Sequence, residues 1–291
     1  MKLLASLSGA RHPLPSGAQH PLAEPAPAPD RVVLVPCSGS SARQWQALRA
    51  ELAGFTPVAF ELAGHGDRPG WHGAGPLTLA REAEAIAEAC PDGAPFHLVG
   101  HSYGGAVALD FALRHPQRLR SLTLIEPSCF FLLRSAEPGL LDEIHALAAA
   151  VNRGVLSGDY RGGISTFIDY WSGAGTWDAL AEGRQARFAE LALHVAHHFG
   201  ALLDAETPLA AFAALRVPTL VLCGTRSPAP SRAITRLLAD TLPRARHRTI
   251  RGAGHMGPIT HPADVNAPIL EHLRSWRAAA GALSLATARH S

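Results

Sequence analysis

A chain of 291 residues, 47% of them hydrophobic, is long enough to bury a full core as one large domain or two small ones. Only 17% of the residues are charged and the formal net charge is +2, with the arginines scattered along the chain. Such a balance provides no basic footprint for nucleic acid, and no apolar run is long enough for a membrane-crossing helix. The four cysteines, Cys37, Cys90, Cys129 and Cys223, stand far apart with no CxxC pair. They read as reduced, buried thiols of a cytoplasmic protein rather than a disulfide framework or a zinc site.

The opening stretch, MKLLASLSGARHPLPSG, interrupts its short apolar run at Arg11, so no secretory signal is expected. Residues 11–30 hold six prolines and little to pack, and residues 1–30 are read as an extended lead-in. A regular rhythm then begins. RVVLVP is a short continuous apolar run, the mark of a strand covered on both faces. SSARQWQALRAELAG follows at helical spacing, with a serine to cap its start and Gly54 to stop it. Next come TPVAFEL as strand, LTLAREAEAIAEAC as helix, FHLVGHS as strand, GGAVALDFALRH as helix and SLTLIEP as strand. Further on, VPTLVLCG reads as strand, SRAITRLLADTLP as helix and ARHRTIRG as strand, and a final amphipathic helix covers roughly residues 261–280, with 281–291 as a tail. Strands alternating with helices imply a parallel sheet with helices on both faces.

Between residues 128 and 216 the rhythm stops. That stretch is helical and aromatic, and an insertion after one strand of a parallel sheet would lie over the carboxyl ends of the strands, where ligands bind. It is the expected lid, and residues 31–127 and 217–280 are the expected core.

LVGHSYGG joins a buried strand to a helix and contains Gly100-His101-Ser102-Tyr103-Gly104. Glycines two residues either side of a serine let strand and helix approach closely around a strained turn, which holds the Ser102 hydroxyl over the end of the sheet. The helix that follows aims its N-terminal N–H groups at the same spot. With the stretches VLVPCSGSSARQW, FELAGHGDRPGW and GAGHMGP in the same order, the chain resembles the α/β-hydrolases over about residues 31–275. The resemblance implies an α/β-hydrolase fold: a mostly parallel sheet flanked by helices, with an all-helical lid inserted after the sixth strand.

It also implies roles for particular residues. The first oxyanion N–H would come from Ser38, although Pro36-Cys37 stands where the family usually has a His-Gly pair. Tyr103 would supply the second, and His255 in GAGHMGP occupies the position of the base. Of the other histidines, His65 and His101 read as structural, and His194, His197 and His198 in HVAHH as a solvated or lid-packing helical face, with no metal site. The acid usually follows the strand VPTLVLCG by a few residues, but the turn there holds Ser227, which cannot neutralise an imidazolium and reads as a turn residue. Glu126 lies at the carboxyl end of the neighbouring strand, SLTLIEP, and its longer side chain could reach His255, so Glu126 is the expected acid.

The chemistry implied is acyl transfer to water at Ser102, without cofactor or metal. The substrate would be a small or medium apolar ester, with Phe130, Tyr170 and Trp171 beside the pocket. Lactone, thioester or carbon–carbon bond cleavage are variants of this reading. A hydrolase-fold protein that binds a small ligand with little turnover is the alternative, suggested by Ser227 and Pro36-Cys37. The sequence specifies no macromolecular partner and no oligomeric state.

Overall fold

The computed structural model describes residues 30–288; all but the last residue of the lead-in expected over residues 1–30, and the last three residues of the chain, lie outside this range. Six strands form one sheet: β1 (Arg31–Val35), β2 (Thr56–Ala59), β3 (Phe96–His101), β4 (Leu119–Ile125), β5 (Thr219–Gly224) and β6 (Ala245–Ile250). All five pairings are parallel, in the order β2-β1-β3-β4-β5-β6. Because β2 lies outside β1 while β3 begins the walk to the other edge, the order reverses between β1 and β3. That switch point opens a crevice beyond the carboxyl ends of the two strands. Pro57, which has no N–H to give a ladder, sits on β2, the edge strand.

The continuous apolar runs are explained by covering on both faces. Val33 and Val35 of β1, Leu98 of β3 and Val221 of β5 join one core cluster, while their neighbours Val32, Leu34, Val99, Leu220 and Leu222 join a second. Successive side chains of a strand point to opposite faces, so each run fills two cores. The first core is closed by α2 (Leu79–Ala89), α3 (Tyr103–Arg114) and α9 (Ala229–Thr241). The second is closed by α1 (Gln46–Glu51) and α11 (Pro262–Ala288), which follows the single turn α10 (Gly257–Thr260). Val265, Ile269 and Leu273 of α11 recur every four residues and are fully buried, each burial contributing about 1.5–3 kcal/mol. The helix runs past the expected end at residue 280, through a stretch rich in alanine and leucine, both strong helix formers.

Between β4 and β5 lie five helices: α4 (Leu133–Ala136), α5 (Pro138–Ser157), α6 (Tyr160–Ser172), α7 (Glu182–Glu190) and α8 (Ala192–Leu203). This insertion follows the fourth strand of the described residues, not a sixth as expected. All four cysteines are free and buried.

The turn from β3 into α3 is packed without slack. A Cβ on Gly100 would overlap the carbonyl of Gly104, and one on Gly104 would overlap the backbone carbonyls of Val35 and Pro36. Both neighbours are main chain and cannot swing aside. Gly104→Ala is therefore expected to destabilise the fold by about 2 kcal/mol or more, read as a lowered urea midpoint; a midpoint equal to the parent's would contradict this packing.

Burial also fixes charge. Desolvation lowers His65 and His272 to about 4 and His97 and His101 to about 3, against an ordinary value of 6.5. His198 is pushed down well below 6.5 for the same reason. These groups stay neutral in the folded chain and become charged in the unfolded chain below about pH 6.5, so the unfolded state binds more protons and stability falls as the pH falls. Urea midpoints should decline continuously from about pH 6.5 to pH 4, each proton refused by the fold adding about 1.4 kcal/mol per pH unit. A flat profile over that window would show that these rings are hydrated.

Candidate active site

Four strand ends and the loop after β6 converge on one point. Ser102, between β3 and α3, has φ 56° and ψ −119°, and Glu126, directly after β4, has φ 44°. They are the only non-glycine residues of positive φ among the described residues. Such conformations cost about 1–3 kcal/mol each and persist only where surrounding structure imposes them. Here the imposing bonds are backbone ones: Ser102 N–H donates to Ile125 O at 2.9 Å, and Glu126 N–H donates to Leu222 O at 3.0 Å.

A continuous hydrogen-bonded chain runs through the three polar side chains expected at the site. Ser102 Oγ lies 2.9 Å from His255 Nε2, and His255 Nδ1 lies 2.8 Å from Glu126 Oε2. The imidazole and the carboxylate are each 2% exposed. The other carboxylate oxygen, Oε1, accepts the Ser227 hydroxyl at 2.6 Å and the Gly224 N–H at 2.8 Å. Burial pushes the Glu126 carboxyl up, but the bonds from His255, Ser227 and Gly224 outweigh it and hold the group below its ordinary value. With Glu126 ionised and accepting, His255 carries its proton on Nδ1, and Nε2 is left to accept from Ser102. Ser227 is thus more than the turn residue expected, because its hydroxyl clamps the carboxylate contributed by the neighbouring strand.

Ser38 and Tyr103 face the same cavity as Ser102. The N–H groups on either side of Ser38 are taken: Cys37 donates to Gln44 Oε1 at 3.1 Å and Gly39 to His65 Nε2 at 3.0 Å. Those of Ser38 and of Tyr103, the first residue of α3, have no acceptor among the described residues. His65 also donates Nδ1–H to Ala63 O at 3.1 Å, so it holds the loop in place as a neutral ring. His101 does similar work: Gln44 Nε2 donates to its Nδ1 at 3.0 Å, and its Nε2–H donates to the His255 carbonyl at 2.9 Å.

The cavity is lined by Phe130, Phe167 and Trp171 with Val195, Phe199 and Leu202, and by Ser128 and His198 among the polar residues. It has about 10 Å³ for the centre of a water-sized sphere, room for about one water. Trp171 packs over the imidazole of His255, the ring centroids 4.1 Å apart. Phe130 and Trp171 thus stand where the pocket was expected. Tyr170 does not line the cavity: its hydroxyl donates to Glu143 Oε1 of α5 at 2.6 Å. Adjacent residues on a helix diverge by about 100°, so Trp171 shares its face of α6 with Phe167, four residues earlier, and not with Tyr170.

Of the two faces expected for His198, solvated or lid-packing, the structure shows a packed one: the ring is 1% exposed and stacks on Tyr103 at 3.8 Å, a partner the sequence does not indicate. Its Nδ1 lies 2.8 Å from Ser38 Oγ, so one ring of the insertion touches both residues with free N–H groups. The only signal was its place four residues from His194, which concerns helix phase and not the partner that the phase meets. Among the described residues no group of three or more His, Cys, Asp or Glu is placed to hold a metal, and no helix is long and apolar enough to cross a membrane.

A model of the alpha/beta hydrolase family matches residues 32–267. The pimeloyl-[acyl-carrier protein] methyl ester esterase of Citrobacter koseri is 31% identical over 242 residues, which cover 80% of this chain and 90% of that protein. Among solved structures, a hydrolase from Pseudomonas aeruginosa superposes with a TM-score of 0.67 at 26% identity, covering 85% of this chain and 91% of that one. A thermophilic esterase from Thermogutta terrifontis gives 0.65 at 25% identity, covering 85% and 90%. A match that includes every strand from Val32 onward, together with a close full-length relative, establishes the lineage: the chain belongs to the alpha/beta hydrolase family.

Proposed function

We propose that this hydrolase cleaves carboxylic esters through an acyl-enzyme at Ser102, with His255 as general base and Glu126 as the acid of the triad. The observation that carries the reading is the unbroken chain Ser102–His255–Glu126, buried and ending in the cavity that Ser38 and Tyr103 also line, whose N–H groups have no acceptor among the described residues. In this reading Ser102 Oγ attacks the ester carbonyl as its proton passes to His255 Nε2. The carbonyl oxygen gathers negative charge where the Ser38 and Tyr103 N–H groups can receive it. His255 then gives the proton to the departing alcohol, and a water repeats the sequence to release the acid. Glu126 keeps its charge throughout, holding the ring and offsetting the imidazolium.

The substrate favoured is the ester of a small or medium aliphatic acid with a small alcohol. Six apolar side chains line the cavity, and nothing charged faces Ser102 except the triad itself. The relatives named as pimeloyl-[acyl-carrier protein] methyl ester esterases agree with an aliphatic acyl group and a compact leaving alcohol. A cavity with room for one water cannot hold an acyl chain, so binding requires α6 and α8, which carry Phe167, Trp171, Val195, Phe199 and Leu202, to draw away from the sheet. Those helices act as the lid.

A fluorophosphonate probe followed by hydrolysis of a p-nitrophenyl ester series tests the assignment. The parent should be labelled at Ser102 and Ser102→Ala should not. Glu126→Gln should lower kcat by about three to four orders of magnitude, equivalent to about 5 kcal/mol. Ser227→Ala removes one of two bonds to Oε1 and should cost about tenfold. Labelling no faster than that of a surface serine would favour a ligand-binding protein, and a larger loss for Ser227→Ala than for Glu126→Gln would take the acid role from Glu126.

A further inference from the structure

Ser128 has no part in the triad, yet its hydroxyl lies 3.1 Å from Ser102 Oγ, and it is 3% exposed in the wall of the same cavity. Its main chain fixes it there, because Ser128 N–H donates to the Ser102 carbonyl at 3.0 Å and Ser128 O accepts from Phe130 N–H at 2.8 Å. We propose that Ser128 is a further catalytic residue, whose hydroxyl donates a hydrogen bond to the Ser102 oxygen and stabilises it as it gains and sheds negative charge.

The assignment of the donor follows from proton counting and rests on Ser102 being the nucleophile. Ser102 has one hydroxyl proton, and attack requires that it point to His255 Nε2. The contact between the two serines then has only one proton available, that of Ser128, so Ser128 donates and Ser102 accepts. The bond serves two moments. As the Ser102 proton passes to His255, the oxygen becomes alkoxide-like, and a donor already aimed at it strengthens without reorganisation. Once the acyl group is attached, the oxygen becomes an ester oxygen, a weaker acceptor. When water has added to the acyl carbon, Ser102 must depart with the electron pair of the broken C–O bond, and the same donor meets that charge before His255 returns the proton. Ser128 keeps its own proton in every step.

The position depends on the unusual place of the acid. Glu126 is followed by Pro127 and then Ser128, so the strand end that supplies the carboxylate also delivers the second hydroxyl two residues later. A Cβ on Gly105 would press on Pro127, which shows how closely this turn lies against the start of α3.

The test is the second-order rate of phosphonylation of Ser102 by a fluorophosphonate, measured for the parent, Ser128→Ala and Ser128→Cys, with thermal unfolding of each. Ser128→Cys nearly preserves volume but donates weakly, so it separates a lost hydrogen bond from a lost wall. Both variants should keep the parent's melting temperature to within a few degrees and be labelled about 10- to 100-fold more slowly, with steady-state ester hydrolysis falling by a similar factor. A parent that is labelled at Ser102 alongside variants labelled equally fast would overturn the role of Ser128 alone. So would a slow Ser128→Ala beside a Ser128→Cys at the parental rate, because filled space would then be what matters. A parent not labelled at Ser102 would overturn the nucleophile assignment and this inference together.

Discussion

The bond between His255 Nδ1 and Glu126 Oε2 is the constraint on which the site depends. A carboxylate at 2% exposure has lost its hydration and would take up a proton if nothing replaced the lost water. Three donors replace it: the His255 ring, the Ser227 hydroxyl and the Gly224 N–H. Two of them come from the end of β5, the turn where the acid is absent from the sequence. That turn still serves the buried carboxylate, but by giving hydrogen bonds instead of charge. A second carboxylate at position 227 would face Glu126 at hydrogen-bond distance, and two like charges in one buried place cannot both ionise. The serine in the turn and the glutamate on the neighbouring strand are two halves of one arrangement.

Parallel pairing makes the exchange possible. In a parallel sheet every strand ends on the same rim, and Ile125 of β4 is in register with Leu222 of β5, so the residues just beyond them leave the sheet side by side. Moving the acid one strand over changes its distance from His255 by about one strand spacing, 4.8 Å. Glutamate, one methylene longer than aspartate, still reaches the ring from a backbone of positive φ, with His255 Nδ1 2.8 Å from its Oε2. The same rim, at the reversal between β1 and β3, brings the loop of Ser38 and the start of α3 to one cavity, so Ser38, Tyr103 and Ser102 line it together.

Legibility in the sequence followed the range of the forces involved. The alternation of strands and helices, the turn at Ser102 and the glycine-flanked His255 are set by neighbours a few residues away, and they could be read directly. Glu126 could be read because a strand end in a parallel sheet has a known address. Tyr170 was misplaced by one residue of helical phase, which decides between the cavity and Glu143 of α5. The partners of His198 and the place of Ser128 could not be read. Each acts through a residue far away in sequence, Ser38 for one and Ser102 for the other, and no local pattern marks such a meeting. The helical insertion was visible, but the strand before it is the fourth of the described residues, since the count rested on resemblance and not on this chain's own strands.

The cavity is thereby built from two parts of the chain. Ser102 and Glu126 sit on the rim of the sheet, where backbone bonds to neighbouring strands hold two strained residues in place. The cavity's far wall belongs to α6 and α8, which touch the rim through ring contacts, Trp171 tilted on His255 and His198 stacked on Tyr103, and through the polar contact of His198 with Ser38. Apolar contacts of this kind are non-directional and can be exchanged for contacts with an acyl chain at small net cost. The Ser38 contact is different, because losing it strips a buried imidazole of its only hydrogen bond among the described residues. If α8 draws away from the sheet with its apolar side chains, His198 leaves Ser38 with them, so the main cost of admitting a substrate would fall on this one bond and not on the apolar contacts.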